Sequence, residues 1–241
     1  MSKILLLLSF VFIINIVVAQ QTITFESSDN LIVTADLYEQ TKEQPYLLLF
    51  HQSGSSRGEY KEIIPKIKKL GFNCLVVDLR FGKEMNFVQN ETSIAAKTAG
   101  VKINMIDAEK DIIAAIEYAS KKSNKPLVIM GSSYSASLCL KVAKDNPKIK
   151  AVVAFSPGEF FLPDLNIKNT IKGLQKPIFA ASSQREFSFL KELFSDIGTE
   201  YKTLYQPTKG KGEHGAKALW ANSDGSKEYW LNLMMFLNKH K

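Results

Sequence analysis

Pro126-Leu127-Val128-Ile129-Met130-Gly131-Ser132-Ser133-Tyr134-Ser135 decides the architecture of this 241-residue chain. Four apolar residues between a proline and a glycine form a short buried strand. A turn of small residues follows, and Leu138, Leu140, Val142 and Ala143 then belong to a helix. Strand, sharp turn and helix, with a serine at the centre of the turn, is the setting of a nucleophile elbow. Such a turn excludes bulky neighbours and lifts one hydroxyl clear of the carboxyl edge of a sheet. Ser133 holds the central position; Ser132 and Ser135 are hydroxyls beside it. The glycine spacing is not that of a dinucleotide fingerprint, and no phosphate-cradling run follows.

The same alternation runs through the rest of the chain. Strands are expected at 22–26 and 31–38, an edge hairpin closed by the polar turn 27–30, and then at 45–50, 73–77, 149–155, 177–181 and 201–205. Helices are expected over 58–70, where Pro65 marks a kink or a late start, over 106–119, after the elbow, around 189–194, and at the C-terminus through Tyr229, Trp230, Leu233 and Phe236. Residues 86–100 read as a polar, mobile loop. Continuous apolar strands separated by helices imply a mostly parallel sheet covered on both faces. Chemistry in such sheets gathers at the carboxyl ends of the strands. Here that edge collects His51, Asp78, Ser133, Ser156, Ser182 and His214.

Composition sets the class. Hydrophobic residues make up 45% and charged residues 23%, as in ordinary globular proteins. The formal charge of +7 comes from dispersed lysines, with no basic stripe interleaved with aromatics, so nucleic acid is not an expected partner. Lys3, the apolar run 4–18 and the small residues Val17-Val18-Ala19 have the layout of a signal peptide cut after Ala19. On that reading residues 20–241 form one domain, exported to a periplasm or secreted, without stable membrane insertion. The alternative is an uncleaved anchor. Cys74 and Cys139, the only cysteines, read as small buried hydrophobes whose pairing stays open and whose spacing offers no metal site. Asn90-Glu91-Thr92 matches a glycosylation acceptor.

Four stretches taken together resemble a known family. They are His51-Gln52-Ser53-Gly54-Ser55-Ser56 after an early strand, Asp78-Leu79-Arg80 after the next, the elbow at Ser133, and His214-Gly215 near the end. In this order, over essentially the whole of 20–241, they resemble the α/β-hydrolase superfamily and within it the small dienelactone-hydrolase-like branch. The resemblance implies an α/β-hydrolase fold: a mostly parallel central sheet, helices on both faces, and little or no cap domain. It implies no metal or organic cofactor. Ser135 departs from the family, which usually has glycine two residues after the nucleophile.

A serine nucleophile needs a base and an acid behind it. Of three histidines, His51 precedes the elbow and reads as loop-shaping, and His240 lies in the tail. His214 fits the order Ser, acid, His. The resemblance places the acid after the strand 177–181, where Glu186 stands in a position more often Asp; Glu159 or Asp164 after the preceding strand is the rival. Oxyanion donors would be the backbone N–H of Tyr134 and that of Ser53, with Gln52 the alternative. Asp78 and Arg80 are expected to pair and brace neighbouring loops. Phe155, Phe160, Phe161 and Phe187 are candidates for an apolar acyl pocket. The expected function is an exported serine hydrolase acting on a small-molecule ester or acyl substrate, with a Ser-His-Glu triad and an acyl-enzyme. A carboxylesterase, a peptidase and an acyltransferase share that machinery. The alternative is a non-catalytic binding protein that keeps the scaffold.

Overall fold

Successive side chains of a strand point to opposite faces, so an unbroken apolar strand feeds two cores at once. Leu48, Phe50, Leu75, Val77, Ile129, Val152 and Ile178 enter one core, while Leu47, Leu49, Cys74, Val76, Val128, Met130, Val153 and Phe179 enter the other. The computed structural model describes residues 20–241; the expected signal peptide at 1–19 lies outside the described residues. The elements are β1 (Gln21–Glu26), β2 (Ile32–Tyr38), β3 (Tyr46–Phe50), α1 (Ile64–Lys69), β4 (Asn73–Val77), α2 (Glu91–Thr98), α3 (Ala108–Lys122), β5 (Leu127–Ser132), α4 (Tyr134–Lys144), β6 (Ile149–Phe155), α5 (Ile167–Ile171), β7 (Ile178–Ala181), α6 (Phe187–Leu193), β8 (Lys202–Tyr205) and α7 (Ser226–His240). The sheet order is β1-β2-β4-β3-β5-β6-β7-β8. The β1–β2 and β2–β4 pairings are antiparallel, and every other pairing is parallel. This is the α/β-hydrolase fold. The connection between β6 and β7 holds only the short α5, and no cap domain is inserted among the described residues. No described helix is long and apolar enough to cross a membrane.

The register sets the level of the site. Ser132 pairs with Phe155 and Phe155 with Ala181, so Ser133, Ser156 and Ser182 each emerge one residue beyond the same row. Phe50 pairs with Gly131, so the loop that carries Ser53 and the turn that leads to Tyr134 leave the sheet from neighbouring strands at the same edge. Gly131 is forced by packing: a Cβ there would lie 2.4 Å from Ala136 Cα and 2.5 Å from Ala136 N, because α4 returns directly onto β5. Ser135 is fully buried, and its hydroxyl accepts the Ser132 N–H at 2.9 Å and reaches the Phe50 carbonyl at 2.8 Å. The departure from glycine is thus offset by hydrogen bonds that glycine cannot make.

Several expectations need correction. The region 58–70 is divided into a 3₁₀ turn, Arg57–Tyr60, and the later α1, with Pro65 in its first turn where a missing N–H is harmless. The stretch 86–100 is not all loop, because Asn90 caps α2 by accepting the Ser93 N–H at 2.8 Å. Asn90 is 2% exposed and its Nδ2 donates to the Leu79 and Ser55 carbonyls, so it offers no accessible glycan acceptor in the folded chain. Asp78 and Arg80 do not pair with each other. Asp78 binds Arg57, and Arg80 lies between Asp111 (2.8 Å) and Asp29 (2.7 Å), joining the β1–β2 turn to α3. Cys74 and Cys139 are free and belong to opposite cores. Gly131→Ala should lower stability by about 3 kcal/mol or more, because the added carbon meets backbone rather than a movable side chain; the urea midpoint of the purified variant measures it.

Candidate active site

The β5–α4 turn is too tight for ordinary backbone angles. Ser133 has φ 59° and ψ −125°, a conformation L-residues avoid, and it is held by its N–H on the Phe155 carbonyl at 2.7 Å and by its own carbonyl on the Ala136 N–H at 2.9 Å. The strain points the hydroxyl out of the sheet edge. His214 follows the Gly-rich loop after β8, and its Nε2 accepts the Ser133 Oγ–H at 2.9 Å. The other ring nitrogen, Nδ1, donates to Glu186 Oε1. Glu186 Oε2 accepts Ser156 Oγ–H at 2.9 Å and Ser183 Oγ–H at 2.8 Å, and Ser156 Oγ accepts the Gly215 N–H at 3.0 Å. The structure therefore brings Ser133, His214 and Glu186 into one hydrogen-bonded chain. Burial alone would raise the Glu186 carboxyl, but the bonds from His214 and the two serines outweigh it and hold its pKa at about 2.

The rival acids are elsewhere. Glu159 spends one oxygen on the Ile167 N–H and the other on the Lys168 N–H, both at 2.7 Å, closing the start of α5. Asp164 is exposed on the loop before that helix. His51 is loop-shaping as expected: fully buried, it donates through Nδ1 to the Gln52 carbonyl and accepts the Leu79 N–H on Nε2. Burial pushes its pKa down, in keeping with a ring that accepts at Nε2.

The oxyanion candidates separate. The Gln52 N–H is occupied, donating to Glu59 Oε2 at 2.8 Å, which removes Gln52 as a free donor. Among the described residues the N–H groups of Ser53 and Tyr134 have no protein acceptor, and the segments that carry them leave the sheet from the neighbouring strands β3 and β5. Tyr134 also opens α4, where the helix dipole favours negative charge.

Sequence reasoning placed Ser156 on the edge that carries Ser133 and His214 but gave it no role, and it missed Ser183 and Glu59. Glu59 carries no signal: a glutamate in a polar-looking segment reads as surface, yet it is fully buried. Of the four candidate pocket phenylalanines, Phe155 and Phe161 are core and Phe187 packs against it; only Phe160 lines the cavity beside the site.

The sequence model of the dienelactone hydrolase family matches residues 33–208, a span that includes Ser133 and Glu186 and stops short of His214. Among solved structures, the chain is similar to an esterase of Pyrococcus furiosus, with TM-score 0.74 and 16% identity over 92% of this chain and 93% of that one. A dienelactone hydrolase from Anabaena variabilis aligns with TM-score 0.68 and 14% identity over 92% and 98% of the two chains. An esterase domain from Rhodothermus marinus aligns with TM-score 0.64 and 16% identity over 92% and 99%. At these identities the likeness concerns the fold. No curated protein matches the sequence.

The depressed Glu186 pKa has two consequences. An ionised, hydrogen-bonded carboxylate stabilises the folded state above its ordinary value of about 4.5, and that contribution fades as pH falls toward about 2. Glu186 also stays charged across the working range. The acid limb of log kcat/KM against pH should therefore fall with a slope no steeper than about one down to pH ~4, as read with a soluble ester in constant-ionic-strength buffers.

Proposed function

The chain belongs to the dienelactone hydrolase family, and from that premise we propose that it is a serine hydrolase that cleaves an ester or related acyl bond through an acyl-enzyme. The observation that carries this reading is the continuous chain Ser133 Oγ, His214 Nε2, His214 Nδ1, Glu186 Oε1. In the proposed reaction Ser133 Oγ attacks the carbonyl carbon while its proton passes to His214 Nε2. The negative charge that develops on the carbonyl oxygen is held by the N–H groups of Tyr134 and Ser53. Glu186 keeps the imidazole in the tautomer that accepts at Nε2 and stabilises the imidazolium. Collapse of the tetrahedral species breaks the bond to the leaving oxygen, which takes the proton from His214. Water then repeats the sequence on the acyl-Ser133 ester: His214 removes its proton, and release of the acid restores the serine hydroxyl.

Export is part of the same proposal and rests on Lys3, the apolar run 4–18 and the small residues before Gln20. Expression of the full chain in a host with a working secretion route should yield a processed protein whose intact mass places the N-terminus at Gln20.

A fluorophosphonate probe tests the chemistry. The parent should gain one adduct by mass, Ser133→Ala none, and Glu186→Gln should lower kcat by roughly 10²–10⁴-fold, as loss of a triad carboxylate does. An unlabelled, well-folded parent between neutral and alkaline pH would overturn the proposal.

A further inference from the structure

Beside His214 and Glu186, between the loop after β6 and α6, lies a cavity of about 330 Å³. Phe160, Phe189, Leu190 and Leu193 form its apolar wall. Leu190 and Leu193 are buried, but Phe160 is 42% and Phe189 75% exposed, so two aromatic rings face the cavity without being covered by the protein. The charged groups of the wall are already matched. Lys168 pairs with Glu192, Glu159 is consumed by the N–H groups that open α5, and Glu186 by His214 and its serines. A charged ligand would find no counter-ion there, whereas an uncharged apolar one would cover the exposed rings.

On the serine-hydrolase reading above, we propose that this cavity is the subsite for an uncharged apolar group of the ester, a single ring or a short chain, and that Phe189 and Phe160 set the preference for it. The chemistry is the same whether that group is the acyl or the alkoxy part, and substrates separate the two. Each methylene that enters should raise kcat/KM by up to about fourfold. Hexyl acetate or ethyl hexanoate should therefore exceed ethyl acetate by at least about tenfold, the better of the two identifying the part that enters. Phe189→Asp, at an exposed position on α6, should bring the ratio of kcat/KM for the longer ester over that for ethyl acetate down to about threefold or less. Equal turnover of all three esters, or a preference that survives Phe189→Asp, would overturn the subsite. Calorimetric binding of hexyl acetate to Ser133→Ala keeps the two readings apart: binding that Phe189→Asp removes supports the cavity even if no turnover exists, and absence of binding overturns it.

A separate observation concerns Glu59. Its carboxylate is fully buried and bridges three segments: Oε2 accepts the Gln52 N–H at 2.8 Å, Oε1 accepts Ser132 Oγ–H at 2.6 Å, and Ser132 Oγ accepts the Ala216 N–H at 2.9 Å. The loop carrying Ser53, the residue before the nucleophile and the loop carrying His214 are thus tied through one side chain. Gly215 makes room for this junction, since a Cβ there would lie 2.5 Å from Ser132 Oγ. We infer that Glu59 is a positioning residue: by taking the Gln52 N–H it anchors the loop that carries the unpaired Ser53 N–H. A Gln side chain retains an acceptor for Gln52 but presents an NH₂ to Ser132, so Glu59→Gln should fold. It should lower kcat by about tenfold or more, up to the roughly 10²–10³-fold of outright loss of an oxyanion donor, with KM within about twofold. Ser132→Ala should lose several-fold, and the double variant no more than Glu59→Gln alone, because the bonds act as one unit. Full kcat in either folded variant, or strictly additive losses, would overturn the assignment.

Discussion

The close approach of α4 to β5 is the constraint on which the rest of the structure depends. Because the helix returns onto the strand with no room for a side chain at Gly131, the connecting turn has to be made by one residue in a forbidden region, and Ser133 is that residue. Relaxing the turn would move Ser133 away from His214. The hydrogen bonds around it are those expected of an over-determined strained site. Ser133 is held from β6, and Ser135 fills the place of a glycine while satisfying the end of β3.

Buried charge performs the second task, holding loops that make few apolar contacts of their own. Arg57 between Asp36 and Asp78, and Arg80 between Asp29 and Asp111, lock the antiparallel edge and the loop after β4 to the parallel part of the sheet. Burial raises the Asp78 pKa to about 6 despite its bonds with Arg57, a sign that desolvation is only partly repaid. Such pairs add little net stability relative to apolar packing, but loss of one partner strands a buried charge. Glu59 belongs to the same class of device, set at the candidate site itself.

The two sides of the site differ in character. Toward His214 and Glu186 the surface is apolar and its charges are paired. Toward Ser53 the cleft is lined by Lys83 and Lys97, for which no carboxylate lies within 4.0 Å among the described residues, together with the fully paired Arg80. On the proposed reading an ester at Ser133 would lie between these two surfaces, and the family match ends at residue 208, before His214.

The strands were legible because an apolar run is a local signal, and burial on both faces replaces the usual alternation by nearly continuous apolar stretches over 45–50, 149–155 and 177–181. The elbow was legible for the same reason: a strand, small residues and a helix are consecutive in the chain. Ser133, Glu186 and His214 could be ranked from their order and from the strand each follows. Their partners could not. Ser156 and Ser183 on Glu186, Glu59 on Gln52 and Ser132, and Arg57 on Asp78 are pairings whose two halves belong to different elements, and the glutamate at 59 and the arginines at 57 and 80 look like surface residues until their counter-groups are brought to them. α2 was hidden by its polar composition, its helix secured by the Asn90 cap and by Thr92 on β2 rather than by an apolar stripe. Sequence by itself determined which segments form strands, which serine sits on the turn and which histidine follows the last strand. Tertiary structure alone decided which polar groups are buried, because a hydrogen bond or ion pair between distant residues leaves no periodicity in either of them.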